Sequence, residues 1–406
     1  MNIALWGQNT LIDAFIQYYS ALPEIDIIYT YMLSDQCQVN SKVVNEKSKN
    51  WIDHIKDLEN KSIDLAIVTH LVPQLFKDVN NFAQRANFPV LMPSHDVSWL
   101  EWSKISSKQL FKELGIPTPN FEIISYEKAI NEFKNFNRPY VLKYDKDFRR
   151  GLQTIVIDDD NVDSQFELFK KSGKEKYSKL TKKTNDFFIK EEYTKGIEYS
   201  YHVLSNGTDC VYLGSARDYK KRYENDTGDN TTSMGSYSPV DYIDHSVLNY
   251  AKKLIKHFKD NGTPYVGIIY LGILIDEFNN HLLLEVNTRF GCPEFISILP
   301  TIENDLLETF IDGVSNAELY PTVFNNNKVV TIRLVSKNTG NKYPSFINVP
   351  ENIMILNELN EDEDIHGPML MCVGSSLSEC TDTLYNYLEN SDLGDYSYRS
   401  DVGIYL

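Results

Sequence analysis

Over residues 1–100, short apolar runs alternate with amphipathic stretches: Ile3-Ala4-Leu5-Trp6, then Leu11 to Tyr19, Ile25 to Tyr31, Leu65 to Val68 and Pro89 to Met92. That rhythm predicts a small parallel α/β sheet. From Trp99 to Leu114 the apolar spacing turns helical and stops at Gly115-Ile116-Pro117, where glycine past the end and a following proline close a helix. A compact α/β subdomain is expected next, from Phe121 to about Tyr193, with strands at Tyr140-Val141-Leu142 and Thr154 to Ile157. Strand-like segments then continue to Leu213. Helices are expected over Val247 to Phe258 and Ile302 to Ile311, with strands between Val266 and Asn287. The stretch Asp226 to Pro239 shows no period and reads as a long loop, a kind of segment that inside a compact domain is usually functional or disordered. After Pro321 the alternation of Val329-Val330-Thr331-Ile332-Arg333-Leu334 opens a last, mostly sheet-forming unit. The expected divisions are 1–100, 101–320 with a subdomain at about 118–193, and 321–406.

Composition narrows the class. With 406 residues the chain exceeds one ordinary core, so an enzyme with an interdomain cleft is possible. No apolar run approaches the length of a membrane span, and the start Met1 to Gly7 reads as a first strand and not as a secretion signal, so a cytoplasmic location is expected. The formal net charge of -17 argues against a nucleic-acid partner. Any phosphate must then be met by a few local cations. The five cysteines are scattered and odd in number, and no histidine falls in a metal-type pair, so neither a disulfide framework nor a zinc site is expected.

Candidate chemistry concentrates in Leu282-Leu283-Leu284-Glu285-Val286-Asn287-Thr288-Arg289-Phe290-Gly291. As a strand, it sets Glu285, Asn287 and Arg289 on one face at the end of an apolar element. Glu285 and Asn287 offer oxygens to a hard cation such as magnesium, and Arg289 can fork onto an anion. A strand running out into solvent would read the same way. Lys143 interrupts the run Pro139 to Tyr144 and either snorkels from a sheet edge or points at a phosphate. Arg149-Arg150-Gly151 is a basic turn that could fold over a triphosphate or lie in solvent, and Glu191-Glu192 ends a strand either as paired acids for catalysis or as an exposed terminus.

Taken together and in this order, these segments resemble the phosphoribosylamine-glycine ligase family, purine-synthesis enzymes of the ATP-grasp fold. The resemblance rests on Ser103-Lys104-Ile105-Ser106-Ser107-Lys108 with Gly115-Ile116-Pro117-Thr118, and on Asp218-Tyr219-Lys220 through Asp226-Thr227-Gly228, Asn230-Thr231, Met234-Gly235 and Tyr237-Ser238-Pro239 without a gap. Glu285 to Gly291 with Pro293-Glu294, and Tyr398-Arg399-Ser400-Asp401-Val402-Gly403, extend it over nearly the whole chain. It implies an ATP-grasp fold with an N-terminal Rossmann-like domain, a lid and a C-terminal mostly β domain, and use of ATP with Mg2+ or Mn2+. It further implies that Lys104 and Lys143 contact ATP phosphates, with Lys220 also at the nucleotide. Glu191 would take the adenine amino group, the backbone of Glu192, Tyr193 and Thr194 would form the hinge, and Glu198 would hold the ribose. Glu285 and Asn287 would bind the metal and Arg289 would steady an acyl phosphate. Asp218, Asn230, Thr231, Ser233 and Met234, with Arg289, would line the site for a carboxylate substrate, glycine in the family.

The pattern breaks at the substrate end. Where the family has a glycine-rich turn and Arg-Glu-His, this chain reads Gly7-Gln8-Asn9-Thr10-Leu11, and Thr69-His70-Leu71-Val72-Pro73 replaces a Gly-Pro-Glu segment. Thr232-Ser233 replace paired glycines, Cys292 stands for an aspartate, and the lid's Gly-Lys-Gly is missing. The expectation is a diverged ligase that joins a small amino acid to a different amine; the purine enzyme itself and a non-catalytic nucleotide-binding scaffold are the alternatives.

Overall fold

The computed structural model describes residues 1–7, 10–31, 40–46, 56–70, 73–145, 154–170, 187–336, 344–357 and 366–404. Its first unit is a five-stranded parallel sheet built from β1 (Asn2–Gly7), β2 (Ile27–Tyr31), β3 (Val43–Glu46), β4 (Leu65–His70) and β5 (Val90–Leu91), in the order β3-β2-β1-β4-β5. Alternation along β1 feeds two cores. Ile3 and Leu5 pack with Leu11, Ile12 and Phe15 of helix α1 (Leu11–Ser20), while Ala4 and Trp6 face Phe76, Val79 and Phe82 of α2 (Pro73–Ala83).

Two helices follow, α3 (Trp99–Trp102) and α4 (Lys104–Glu113), separated at Ser103, whose extended backbone interrupts the first helix and whose side chain caps the second by accepting from the Ser106 amide. The sequence pattern shows one helical stretch here. The break matters because it aims two charged side chains at one strand.

Strands β6 (Phe121–Ser125), β7 (Tyr140–Tyr144), β8 (Thr154–Ile157) and β9 (Phe187–Glu192) make an antiparallel sheet in the order β6-β9-β7-β8. Helix α5 (Tyr126–Lys134) covers it through Ala129 and Phe133, which pack with Tyr144, Phe169 and Phe188 in a core of their own.

The largest layer is an eight-stranded sheet. Its strands are β10 (Gly196–Asn206), β11 (Cys210–Asp218), β14 (Gly235–Ser238), β15 (Val266–Asp276), β16 (His281–Asn287), β17 (Lys328–Val335), β18 (Ile353–Leu356) and β19 (His366–Gly374), in the order β16-β15-β10-β11-β14-β17-β19-β18. A small hairpin, β12 (Lys221–Tyr223) with β13 (Thr227–Asn230), projects between β11 and β14. Two expectations change here. The stretch 226–239 is not one loop: it supplies β13 and β14, and β14 pairs with β11 on one side and β17 on the other. For the same reason the sheet runs unbroken across position 321: β17 is hydrogen-bonded to β14, and β19 and β18 follow it in the same sheet.

Helices α6 (Leu248–Asp260) and α9 (Leu377–Glu389) pack into one core with α4 against this sheet. Helices α7 (Glu294–Ile298) and α8 (Leu306–Val314) pack into a second core shared with α1 of the first unit. The last of these begins later than the apolar spacing indicates, because Asp305 caps it by accepting from the amides of Leu307 and Glu308.

Candidate active site

The α3–α4 break grips strand β16 and the residues after it. Lys104 Nζ lies 2.8 Å from Glu285 Oε2. Arg289 Nε donates to Glu101 Oε1 at 2.8 Å, and Thr288 donates to Glu101 Oε2 through both its amide, at 2.9 Å, and its hydroxyl, at 3.1 Å. Asp145 anchors the start of α4 by accepting from the Ile105 amide at 3.1 Å and the Ser103 hydroxyl at 3.2 Å, an acid where a helix N-terminus favours one. Glu101 and Lys104 thereby reach the same strand from a single turn of chain.

A β-bulge in β16 makes this arrangement possible. Gly272 of β15 pairs with Glu285 while the next residue, Ile273, pairs with Leu283, so Leu284 is the extra residue. Strict alternation would put Leu283 on the face of Glu285. With the bulge, Leu283 and Val286 both enter the core beside α4 and α6, and Glu285 is free to meet Lys104. Attraction from Lys104, outweighing burial and helped by Lys220 and Lys143, holds the Glu285 carboxyl well below the usual carboxylate range. It is therefore ionised wherever the protein works.

A second cluster joins the small antiparallel sheet to the large one. The buried Glu191 carboxylate pairs with Lys108 and Lys143, each at 2.8 Å, and Lys143 Nζ also lies 3.5 Å from the Leu284 carbonyl. Lys108 further contacts the Thr118 hydroxyl, at 2.5 Å, which itself donates to the Leu283 carbonyl at 2.7 Å. Burial, with Lys143 as a like charge beside it, lowers Lys108 to about 7. Both Glu191 oxygens thus lie 2.8 Å from a lysine, and the residues beyond it, Glu192 and Tyr193, are exposed. Lys108 is thus tied to both the Glu191 carboxylate and the Thr118 hydroxyl.

The third cluster lies where β11 ends. Asp218 is half-buried, and one of its oxygens, Oδ1, is shielded from solvent with no hydrogen-bond partner among the described residues. Burial and the neighbouring acid Glu294 push it up to about 8. Lys220 lies 3.0 Å from Glu198 Oε2, and the surrounding acids, Glu198 foremost, hold its ammonium above the ordinary value against the effect of burial. Asn230, at the end of β13, donates to the Thr154 carbonyl at 3.3 Å, and the Thr231 hydroxyl donates to the Lys220 carbonyl at 2.9 Å. Ser233 and Met234 are buried where the chain crosses from the hairpin into β14. His202, unmarked by any sequence signal, is fully buried, accepts at Nε2 from the Gly291 amide at 3.1 Å and is pushed down to about 3, so it stays neutral.

Thus Lys104 meets Glu285, Lys143 meets Glu191, and Lys220, paired with Glu198, is near enough to Glu285 and Asp218 for their charges to act on it. Asn287 lies between Glu285 and Arg289, its carboxamide unengaged among the described residues. The basic turn Arg149-Arg150-Gly151 lies outside the described residues.

The model of the phosphoribosylglycinamide synthetase ATP-grasp (A) domain matches residues 102–295, a span holding almost every residue just placed. Across most of their length, the phosphoribosylamine-glycine ligases of Caldanaerobacter subterraneus subsp. tengcongensis and Leptospira interrogans are each 28% identical to this chain, covering 86% and 85% of it and 87% and 84% of their own sequences. Over residues 102–295 the chain carries this ATP-grasp domain, and along most of its length it is similar to phosphoribosylamine-glycine ligases. It is an ATP-grasp ligase. Among solved structures, the phosphoribosylamine-glycine ligase of Thermotoga maritima superposes with a TM-score of 0.76 at 22% identity, over 99% of this chain and 100% of that one. The biotin carboxylase domain of Hydrogenobacter thermophilus 2-oxoglutarate carboxylase, solved with magnesium ADP and bicarbonate, shares the fold with a TM-score of 0.65 at 13% identity, over 98% and 91%.

Against the family pattern, the departures fall at defined places. Helix α1 opens on Leu11 and Ile12, both buried in apolar surroundings, and on the acid Asp13. Thr232 and Ser233, in place of paired glycines, are held by hydrogen bonds: Arg333 Nη1 donates to the Thr232 hydroxyl at 2.7 Å, and the Gly235 amide donates to Ser233 Oγ at 3.0 Å. No helix among the described residues is long and apolar enough to cross a membrane.

Proposed function

We propose that the protein uses ATP and a divalent cation to activate the carboxylate of a small amino acid, with glycine the first candidate, and passes the acyl group to an amine other than phosphoribosylamine. The amino-acid end of this reading rests on Asp218. A half-buried carboxylate with a shielded, unmatched oxygen, next to a second acid, suits a substrate ammonium, which would supply the missing donor and restore its ionised form. The acceptor end rests on α1: a phosphate is usually met at a helix start by backbone amides and cations, and here that start carries two buried apolar residues and an acid.

The metal fits the donors present. Glu285 is ionised and Asn287 offers an amide oxygen, both hard ligands; among the described residues no cluster of three or more His, Cys, Asp or Glu exists to hold an ion, so nucleotide phosphates would complete the shell. When bound, such an ion neutralises charge on the phosphates. The chain's own residues do the rest. A substrate carboxylate oxygen attacks the terminal phosphorus of ATP, ADP leaves, and the amine nitrogen then attacks the acyl carbon, losing a proton as phosphate departs. Lys104 and Lys143 offset the anions brought together in the first step, and Arg289 steadies the acyl phosphate. The sheet β6–β9 with α5 acts as a lid, its exclusion of water protecting the acyl phosphate before the amine arrives.

The test supplies ATP, magnesium and single amino acids with hydroxylamine as a surrogate amine, and measures ADP and hydroxamate. Glycine is expected to give both. Phosphoribosylamine is then added: efficient amide formation would favour the second reading, the purine enzyme itself, which the 28% identity to ligases of that name supports. The Glu285→Ala protein should fold yet release no ADP above background; full activity would remove its metal role.

A further inference from the structure

We infer that Glu101 is a positioning residue for Arg289, fixing the guanidinium that faces the reacting anion. The inference rests on the reading of Arg289 just given. Glu101 divides its two oxygens between consecutive residues of another element: Oε1 accepts from Arg289 Nε at 2.8 Å, and Oε2 accepts from the Thr288 amide at 2.9 Å and hydroxyl at 3.1 Å. Backbone and side chain are held at once. Arg289 Nη1 is in turn committed to the Phe290 carbonyl at 3.1 Å. Nη2 alone is left without a hydrogen bond among the described residues, so the fork presents one defined edge outward.

The location of Glu101 suits this role. It sits in a helix of four residues that ends at the Ser103 break, and that break also sends Lys104 to Glu285. A single short element therefore sets both the phosphate-facing lysine and the orientation of the arginine. Without Glu101, the acid left acting most strongly on Arg289 is Glu294, which also acts on Asp218, and the guanidinium would be drawn toward that cluster. Such a swing changes the reaction while leaving nucleotide binding alone, because none of the lysines expected at ATP touches Glu101.

The experiment is a double-mutant cycle on hydroxamate formation, with kcat and the KM for ATP measured for Glu101→Gln, Arg289→Ala and the pair. Glu101→Gln should lower kcat by about 10- to 100-fold, the usual cost of removing an orienting partner, with the KM for ATP changed less than about twofold. In the Arg289→Ala background the same change should cost nothing further. Equal losses in both backgrounds, or a silent Glu101→Gln in a protein that needs Arg289, overturn the inference. An Arg289→Ala protein with full activity instead removes the arginine's own role. If Glu101→Gln does not fold, Glu101→Asp, which keeps the charge but shortens the reach, is read in the same cycle with the same expected pattern.

Discussion

Ser233 holds a backbone φ of +142°, a conformation that only glycine adopts freely, in a position where the family has glycine. The residue is fully buried, and its hydroxyl both accepts from the Gly235 amide at 3.0 Å and lies 3.1 Å from the Gly235 carbonyl. Strain and hydrogen bonding therefore oppose each other at one residue. Ser233→Ala keeps the strain and loses the bonds, whereas Ser233→Gly loses the bonds but releases the strain. Urea unfolding should accordingly rank Ser233→Gly above Ser233→Ala in stability by about 1 kcal/mol or more; the reverse order would mean that the backbone at this position is not strained.

At the scale of elements, β14 shows what a pattern of side chains can hide. Its four residues, Gly235–Ser238, carry no run of apolar positions, so the segment reads as loop; it becomes a strand only because β11 and β17 offer hydrogen bonds on both flanks. Its start depends on glycine. A Cβ at Gly235 would meet the Thr331 carbonyl oxygen at 2.3 Å, and the φ of +153° disfavours a side chain in any case. Gly235→Ala should thus cost roughly 3 kcal/mol or more by forcing β14 away from β17, measurable as a fall in the urea midpoint; a loss below about 1 kcal/mol would show that the sheet yields there. Other elements were legible. The apolar run ending in Glu285 and Asn287 marks β16 from sequence alone, yet the bulge at Leu284 depends on Gly272 and Ile273 of the partner strand and leaves no trace in the local pattern. Glu101, Lys108 and His202 were illegible for a similar reason: each acts through a partner far away in sequence, and a lone acid, lysine or histidine beside apolar neighbours has no period to betray it.

For the molecule as a whole, the first unit and the edge of the large sheet are tied through one buried acid. Asp13 on α1 accepts from the Asn357 amide just beyond β18 at 2.8 Å and from Gln17 at 3.2 Å, and Gln17 also donates to the Ile355 carbonyl at 2.9 Å. Its other oxygen, Oδ1, is buried without a hydrogen bond among the described residues, and burial raises its pKa from the usual 3.8 to about 6. Between those two values the folded protein keeps a proton that the unfolded chain has released. The stabilisation from this proton is therefore complete below pH 3.8 and is lost as pH rises through about 6. It amounts to about 3 kcal/mol over the window, from the spacing of the two pKa values. Asp13→Asn keeps an oxygen for the Asn357 amide and never ionises. Relative to the unaltered protein it should gain stability as pH is raised from about 4 to 7, most of the gain arriving before pH 6, and urea titrations of both proteins at the two pH values read the difference. A gap that stays constant with pH would mean that Asp13 is ionised in the fold throughout, and that the tie between the two sheets is a charge-assisted one.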